Sequence, residues 1–398
     1  MATQMRWRRE AELILGCVAV SSPDRLDRLR IIIDAGVDWE VAMRAALRHG
    51  VMPAVYRALM PALAARVPAS VHARMRREVH GNAVRNRYLA VEMLRLCRLL
   101  EKHGVHALAL KGPALAAGSY GDLRLRQFTD LDLLVHQNDL GATFAALAGE
   151  GFRTRTPLKR IASKRSSGWE MTFAREPDLF ALDLHWRLLP RYFPFAPEGS
   201  ELWQRAVEVD LEPGRVLTLG PEDLMLFLCA HGAKHGWQTL SGVCDVAQAA
   251  HAHQYDWEAL TARAKSLGSL RILLLGVLLA RDLLGASIPA RLINAARAEP
   301  SVQRGARIFS SYFYQLGLNG PGLFQRWSIP LAMIPQRSAR LRYALARTFL
   351  PAAADFDFIS LPFILSPLYY AVRPLRFALQ KAPNLVRLTN RFFSAPNR

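Results

Sequence analysis

The chain has 398 residues and a formal charge of +19, from 52 Lys and Arg against 33 Asp and Glu. With 51% hydrophobic and 21% charged residues it is too apolar for a disordered chain and too long for one simple core, so two to four domains are expected. The charge suggests an anionic partner (nucleotide, nucleic acid or membrane surface), but the basic residues are spread along the chain, which argues against a nucleic-acid-binding tail. Cys17, Cys97, Cys229 and Cys244 form no CxxC pair, so neither a zinc ribbon nor a disulfide framework is indicated and a reducing, cytoplasmic setting is expected.

Residues 1–104 read as an N-terminal helical region. RWRREAELILGCVAVSSP places basic residues before a short apolar run, but Glu10 and Glu12 interrupt it, and it reads as a surface-to-core helix rather than a leader. WEVAMRAALRHGVMPAVYRALMPAL and VHARMRREVHGNAVRNRYLAVEMLRLCRLLEKHG repeat apolar residues every three or four positions, with Gly104 as a stop. The pattern changes over 105–215. VHALAL (105–110), FTDLDLLV (128–135), WEMTFAR (169–175) and LFALDLHWRL (179–188) read as strands, and QNDLGATFAALAGEGF as a helix. Helices return over 216–300, where PEDLMLFLCAHGAKHGW opens with Pro221 and two acids, a good first turn. Residues 301–398 form a Pro-rich, aromatic and Arg-rich extension with helical pieces. Its most apolar stretch, FISLPFILSPLYYAV (358–372), is shorter than a membrane span and broken by Pro362 and Pro367, so a buried or interfacial segment is expected.

The chemistry concentrates in the strands. Residues i and i+2 of a strand share a face, so Asp130 and Asp132 project together, about 6–7 Å apart, while Leu131 and Leu133 point the other way. Two such carboxylates repel and are costly to bury unless a cation lies between them, and Mg²⁺ is the usual hard ion for such a site. Asp183, between Leu182 and Leu184, adds a third strand-borne carboxylate, and His185 shares its face. The plainer alternative is an exposed DxD pair on the outer face of an edge strand; the upstream Gly turn and the third Asp favour a metal site.

LKGPALAAGSYGDLRLRQFTDLDLLV followed by LDLHWRL resembles the signature of the nucleotidyltransferase superfamily with the DNA-polymerase-beta-type palm. More narrowly it resembles a bacterial family of uncharacterised nucleotidyltransferases. RHGVMPAVYRAL, HGAKHGW, DVAQ, DWEALTARAKSLG and LYYAVRPLRFAL extend the likeness over most of the chain. The resemblance implies an α+β fold, a small mixed-sheet palm flanked by helical domains. It implies that Asp130 and Asp132 hold Mg²⁺ (Mn²⁺ as an alternative) on a nucleoside triphosphate and that Asp183 completes the ion that activates an acceptor hydroxyl, with pyrophosphate leaving. The acceptor, a small molecule or a protein, is not legible. One departure stands out: where better-studied members of the superfamily carry Gly-Ser or Gly-Gly soon before the DxD, this chain has Lys111-Gly112-Pro113 and a longer gap, and Pro113 offers no N–H to a phosphate. Lys111 and Arg126 are the candidates to grip phosphate instead, against the alternatives of a solvated lysine at a strand end and a surface arginine.

His231, Lys234 and His235 share one helix face. A zinc reading of HxxxH fails because Lys234 would repel the ion and no HExxH glutamate is present. Two readings remain: a basic wall that neutralises the triphosphate, or a polar helix contact with Lys234 or His235 paired to Asp245. His185 and His231 are candidate supporting partners, His185 behind Asp183 or as a strand-end cap. The competing functions are a nucleic-acid enzyme, for which no recognisable RNA-binding module is present, and a non-catalytic interaction protein touching a membrane peripherally through 356–398 near Arg373 and Arg376.

Overall fold

The computed structural model describes residues 8–21, 24–60, 62–154, 168–177, 180–193, 200–316, 323–359 and 361–381. They divide into two compact units, 8–153 with 169–335, and 336–381. The first begins with α1 (Arg8–Val18), α2 (Arg25–Asp34), α3 (Trp39–Arg48), α4 (Met52–Leu59) and the 34-residue α5 (Ala69–Lys102). Local chemistry sets these helices: the Asp38 carboxylate accepts from Val41 N–H at the start of α3, and Pro53 sits in the first turn of α4. The apolar stripe of α1 is spent on the core, where Leu13, Ile14 and Cys17 are at most 1% exposed.

The α+β core follows as expected from the sequence, with β1 (Ala107–Ala109), α6 (Gly112–Tyr120), β2 (Asp130–Val135), α7 (Leu140–Gly149), β3 (Glu170–Phe173) and β4 (Ala181–His185). After α8 (Ser200–Gln204) the chain adds β5 (Val207–Asp210) and β6 (Arg215–Thr218). The six strands form one mixed sheet in the order β3-β4-β2-β1-β6-β5. The pairs β1/β2, β3/β4 and β5/β6 are antiparallel, and β1/β6 and β2/β4 are parallel. The hairpin of β5 and β6 is an addition to the four strands expected. Its signal was present in the alternation of VEVD and RVLT around the Pro213-Gly214 turn. Thr218 Oγ1 donates to Ala109 O at 2.6 Å and fastens this hairpin to β1.

Helices close the unit: α9 (Pro221–Lys234), α10 (Leu240–Ala252), α11 (Trp257–Ser266), α12 (Leu270–Leu284), α13 (Ala290–Ala298), α14 (Pro300–Tyr314) and α15 (Leu323–Met333). α9, α10 and α12 pack on one another. Their approach requires small residues: a Cβ on Gly232 would overlap the Trp237 ring, and one on Gly276 would overlap Cys229 Sγ.

The second unit contains α16 (Arg337–Phe349), α17 (Ala353–Phe358), a 3₁₀ turn (Phe363–Leu368) and α18 (Tyr369–Lys381). Its internal anchor is Asp355, fully buried, with Arg373 at 2.8 Å and Arg376 at 2.6 Å. The apolar stretch 358–372 does not pack away as a buried segment: Phe358, Ile359, Ile364, Leu365, Leu368 and Tyr370 are exposed, while Tyr369 turns inward. Among the described residues no helix is long and apolar enough to cross a membrane.

Candidate active site

Parallel pairing of β2 with β4 sets Asp132 opposite Asp183 and Asp130 opposite Ala181. Paired residues on adjacent strands face the same side of a sheet, so Asp132 and Asp183 are lateral neighbours and Asp130 lies on their face, two residues along. Antiparallel pairing of β3 with β4 adds Thr172 opposite Asp183 and Glu170 opposite His185. The intervening Leu131, Leu133, Leu182 and Leu184 are fully buried on the other face, which fixes the register.

The loop leading into β2 is held from α5. Asn82 Nδ2 lies 3.2 Å from Arg124 O, Asn86 Nδ2 is 2.7 Å from Arg126 O, and Arg85 Nε donates to Phe128 O at 3.2 Å. Buried Asn side chains on a long helix satisfy carbonyls that an irregular loop leaves unpaired. Sequence reasoning missed this role; the signal was the pair of asparagines in GNAVRN at one-turn spacing.

Asp132 is 3% exposed and already neutralised from within. Lys111 Nζ stands 3.4 Å from Oδ2 and His185 Nε2 3.2 Å from Oδ1. Burial opposes its ionisation, but Lys111 and His185 outweigh burial and hold the carboxyl well below the usual range. Asp183 is shifted the other way. Burial raises its proton affinity, the hydrogen bond from Thr172 Oγ1 at 2.6 Å opposes this, and Asp132 and Glu170 add repulsion. His185 therefore supports Asp132 rather than Asp183, and its second ring nitrogen lies 3.5 Å from Glu170 Oε2.

Lys111 leaves the end of β1 and precedes the first turn of α6. Gly112 adopts φ +56°, a left-handed backbone that glycine takes without strain, in a turn that packs against β2. The Lys111 ammonium is also 3.1 Å from His231 Nε2, at the last turn of α9. Burial, reinforced by Lys111, keeps the His231 ring neutral, so its Nε2 accepts. Lys234, from the same turn, lies 5.1 Å above the Trp169 ring. Burial lowers its proton affinity, and Glu170 pulls the other way. His235 caps α9, exposed, with its ring centroid 4.5 Å from that of His231.

Arg126 feels the charge of Asp130, but its guanidinium is committed to another partner. Its Nε and Nη2 make a bidentate pair with Asp245 at 2.8 and 3.0 Å, and Tyr120 Oη donates to the same carboxylate at 2.7 Å. The partner of Asp245 is thus Arg126 with Tyr120, and not Lys234 or His235. The bond ties the loop before β2 to α10.

Asp132, Asp183, Lys111, His185 and His231 are brought into one connected cluster, with Lys234 charge-coupled to it; Asp130 lies on the same face. Thr172, Glu170 and Trp169 join them and were not singled out from sequence, although alternation in WEMTF already put Glu170 and Thr172 on one face. Among the described residues no group of three or more His, Cys, Asp and Glu side chains is gathered tightly enough to hold a metal ion. Asp132 and Asp183 stand in lateral register; Lys111 already offsets Asp132, while Asp183 has raised proton affinity and is the carboxylate there whose charge a cation would relieve.

The chain is a mixed-sheet α+β protein carrying acids of two parallel strands beneath a basic helix end. It belongs to the uncharacterised nucleotidyltransferase family, whose profile matches residues 35–285. Membership supports nucleotidyl transfer as the general activity and a nucleoside triphosphate as substrate. No curated protein and no solved structure matches the chain significantly.

Proposed function

We propose that the protein moves a nucleoside monophosphate from a nucleoside triphosphate to a hydroxyl of a small-molecule or protein acceptor, using Asp130, Asp132 and Asp183 to hold Mg²⁺ or Mn²⁺. The observation that carries this reading is the lateral register of Asp132 with Asp183, with Asp130 on the same face. A divalent ion bound there would supply charge neutralisation of the phosphates and lower the proton affinity of the attacking hydroxyl. Lys111 stands at the N-terminal end of α6, where its ammonium and the helix dipole both favour phosphate oxygens. Gly112 gives that turn its left-handed backbone, and Lys234 adds positive charge from across the cluster. His231 and His185 orient Lys111 and Asp132. In the transfer the acceptor oxygen bonds to the α-phosphorus, the bridging P–O bond breaks, pyrophosphate leaves with its negative charge, and the hydroxyl proton passes to solvent. The Arg126 fork is committed to Asp245, so it contributes positive charge near Asp130 rather than a bidentate grip on phosphate.

The test is calorimetric binding of each NTP with Mg²⁺ or Mn²⁺, beside pyrophosphate release, for the native chain and Asp132→Asn. Cation-dependent binding and release that fall by about a hundredfold or more in a folded Asp132→Asn protein are expected. Equal binding and release by both would overturn the site. The internal pair of Asp132 with Lys111 favours a second reading, a core that has given up catalysis; failure of the native chain to bind any nucleotide would establish it.

A further inference from the structure

Exposed apolar side chains are concentrated in the second unit. Of seventeen large hydrophobic residues exposed among the described residues, ten fall between Leu341 and Leu375. A patch of this kind on an otherwise charged chain marks an interaction surface. On α16, Leu341, Leu345 and Phe349 recur every four residues and form one stripe, 62%, 50% and 43% exposed, while Ala339 and Tyr343 take the buried side. At 100° per residue Arg337 and Arg342 fall on the two flanks of that stripe, and both are exposed. The helix carries four arginines and no acid. Ile364, 84% exposed, stands with Leu365 and Leu368 on the 3₁₀ turn, and Tyr370 and Leu375 continue on α18.

Charge selects the occupant. Residues 336–381 hold seven Arg and Lys against two Asp, and once Arg373 and Arg376 are paired inward with Asp355, five cations remain against Asp357. We propose that this unit docks on the surface of a bilayer containing anionic lipids, with the stripe of α16 and the Ile364 turn dipping into the headgroup boundary and Arg337 and Arg342 on the lipid phosphates. The geometry is that of an interfacial amphipathic helix, with apolar residues between cations. Pro362, Pro367 and Pro374 keep the segment on the surface by breaking any run long enough to span. A second copy of the chain suits the face poorly, since two such arginine-flanked stripes would repel. Nucleic acid leaves the apolar stripe without a role.

The experiment is flotation of the full chain with vesicles of phosphatidylcholine alone and of phosphatidylcholine with an equal part of phosphatidylglycerol. Flotation with the mixed vesicles only is expected, reduced about tenfold in Leu341→Glu/Leu345→Glu. Arg337→Gln/Arg342→Gln is expected to lower it about twentyfold, as raised salt would. All four side chains are exposed, so these variants retain the fold, which circular dichroism checks. No flotation with either vesicle, or flotation unchanged by Leu341→Glu/Leu345→Glu, overturns the proposal. So does concentration-dependent dimerisation in light scattering that the same apolar variants abolish without any vesicle binding, because it assigns the face to a second copy.

Discussion

Lowering the pH should unfasten the first unit at His49. This fully buried ring links the turn after α3 to the start of α10 and to the segment after α14. Leu240 N–H donates to Nδ1 at 3.2 Å, so Nδ1 is the bare nitrogen, and the proton sits on Nε2, which donates to Leu316 O at 3.1 Å. A second proton on Nδ1 would face the Leu240 N–H. Burial chiefly, opposed by the bond to Leu316 O and assisted by Arg48, lowers the ring's pKa from 6.5 to about 4. The unfolded chain takes up this proton near its ordinary value, the folded chain only near the lower one. Between them the unfolded state holds more protons, so stability is full above the ordinary value and is lost as pH falls toward the folded one. At about 1.4 kcal/mol per pH unit, that interval is worth about 3 kcal/mol. The assay is urea unfolding of the native chain and His49→Gln at about pH 7.5 and about pH 4.5. Gln keeps a donor for Leu316 O but leaves the Leu240 N–H unpaired, so the variant starts about 1–3 kcal/mol less stable at the higher pH. That gap should shrink or reverse by about 2–3 kcal/mol at the lower pH, since only the native chain has this proton to take up. A gap that does not change with pH would refute the assignment of the ring as neutral and doubly bonded.

Two further outcomes follow from the packing. Asp245→Ala leaves the Arg126 guanidinium, 11% exposed, without its bidentate partner, and about 3–5 kcal/mol should be lost in urea unfolding. Arg126→Met/Asp245→Leu should recover most of that loss, and a double variant no better than the single one would refute the ion-pair account. Gly276→Ala inserts a Cβ against Cys229 Sγ between α12 and α9 and should cost about 1–3 kcal/mol; Cys229→Ala in the same chain should relieve part of it, as a shift in unfolding midpoint would register.

Most elements of the first unit could be read from local pattern. Three- and four-residue spacing marked its helices, Pro221 with Glu222 and Asp223 marked the start of α9, and apolar runs marked the four strands carrying or flanking the acids. Each of these features lies within a few residues of chain. The hairpin of β5 and β6 is hard to read from its local alternation and turn, because both strands are only four residues long and β5 buries none of its side chains. The helical start at Gly112 is disguised as a turn, since GPALAAGSY has apolar residues all round and so no amphipathic period.

What the sequence determined by itself was the sharing of one strand face by Asp130 and Asp132, membership of the family that matches residues 35–285, and a basic helix end at His231 and Lys234. Only the tertiary structure decided who meets whom. Asp132 took Lys111 and His185, from positions 21 and 53 residues away, and Asp245 took Arg126, 119 residues upstream, in place of its helical neighbours. A charge's partner depends on which strands lie side by side and on which desolvated groups then need neutralising. Those are properties of the sheet order and the packing of α9 and α10, and no spacing along the chain encodes them.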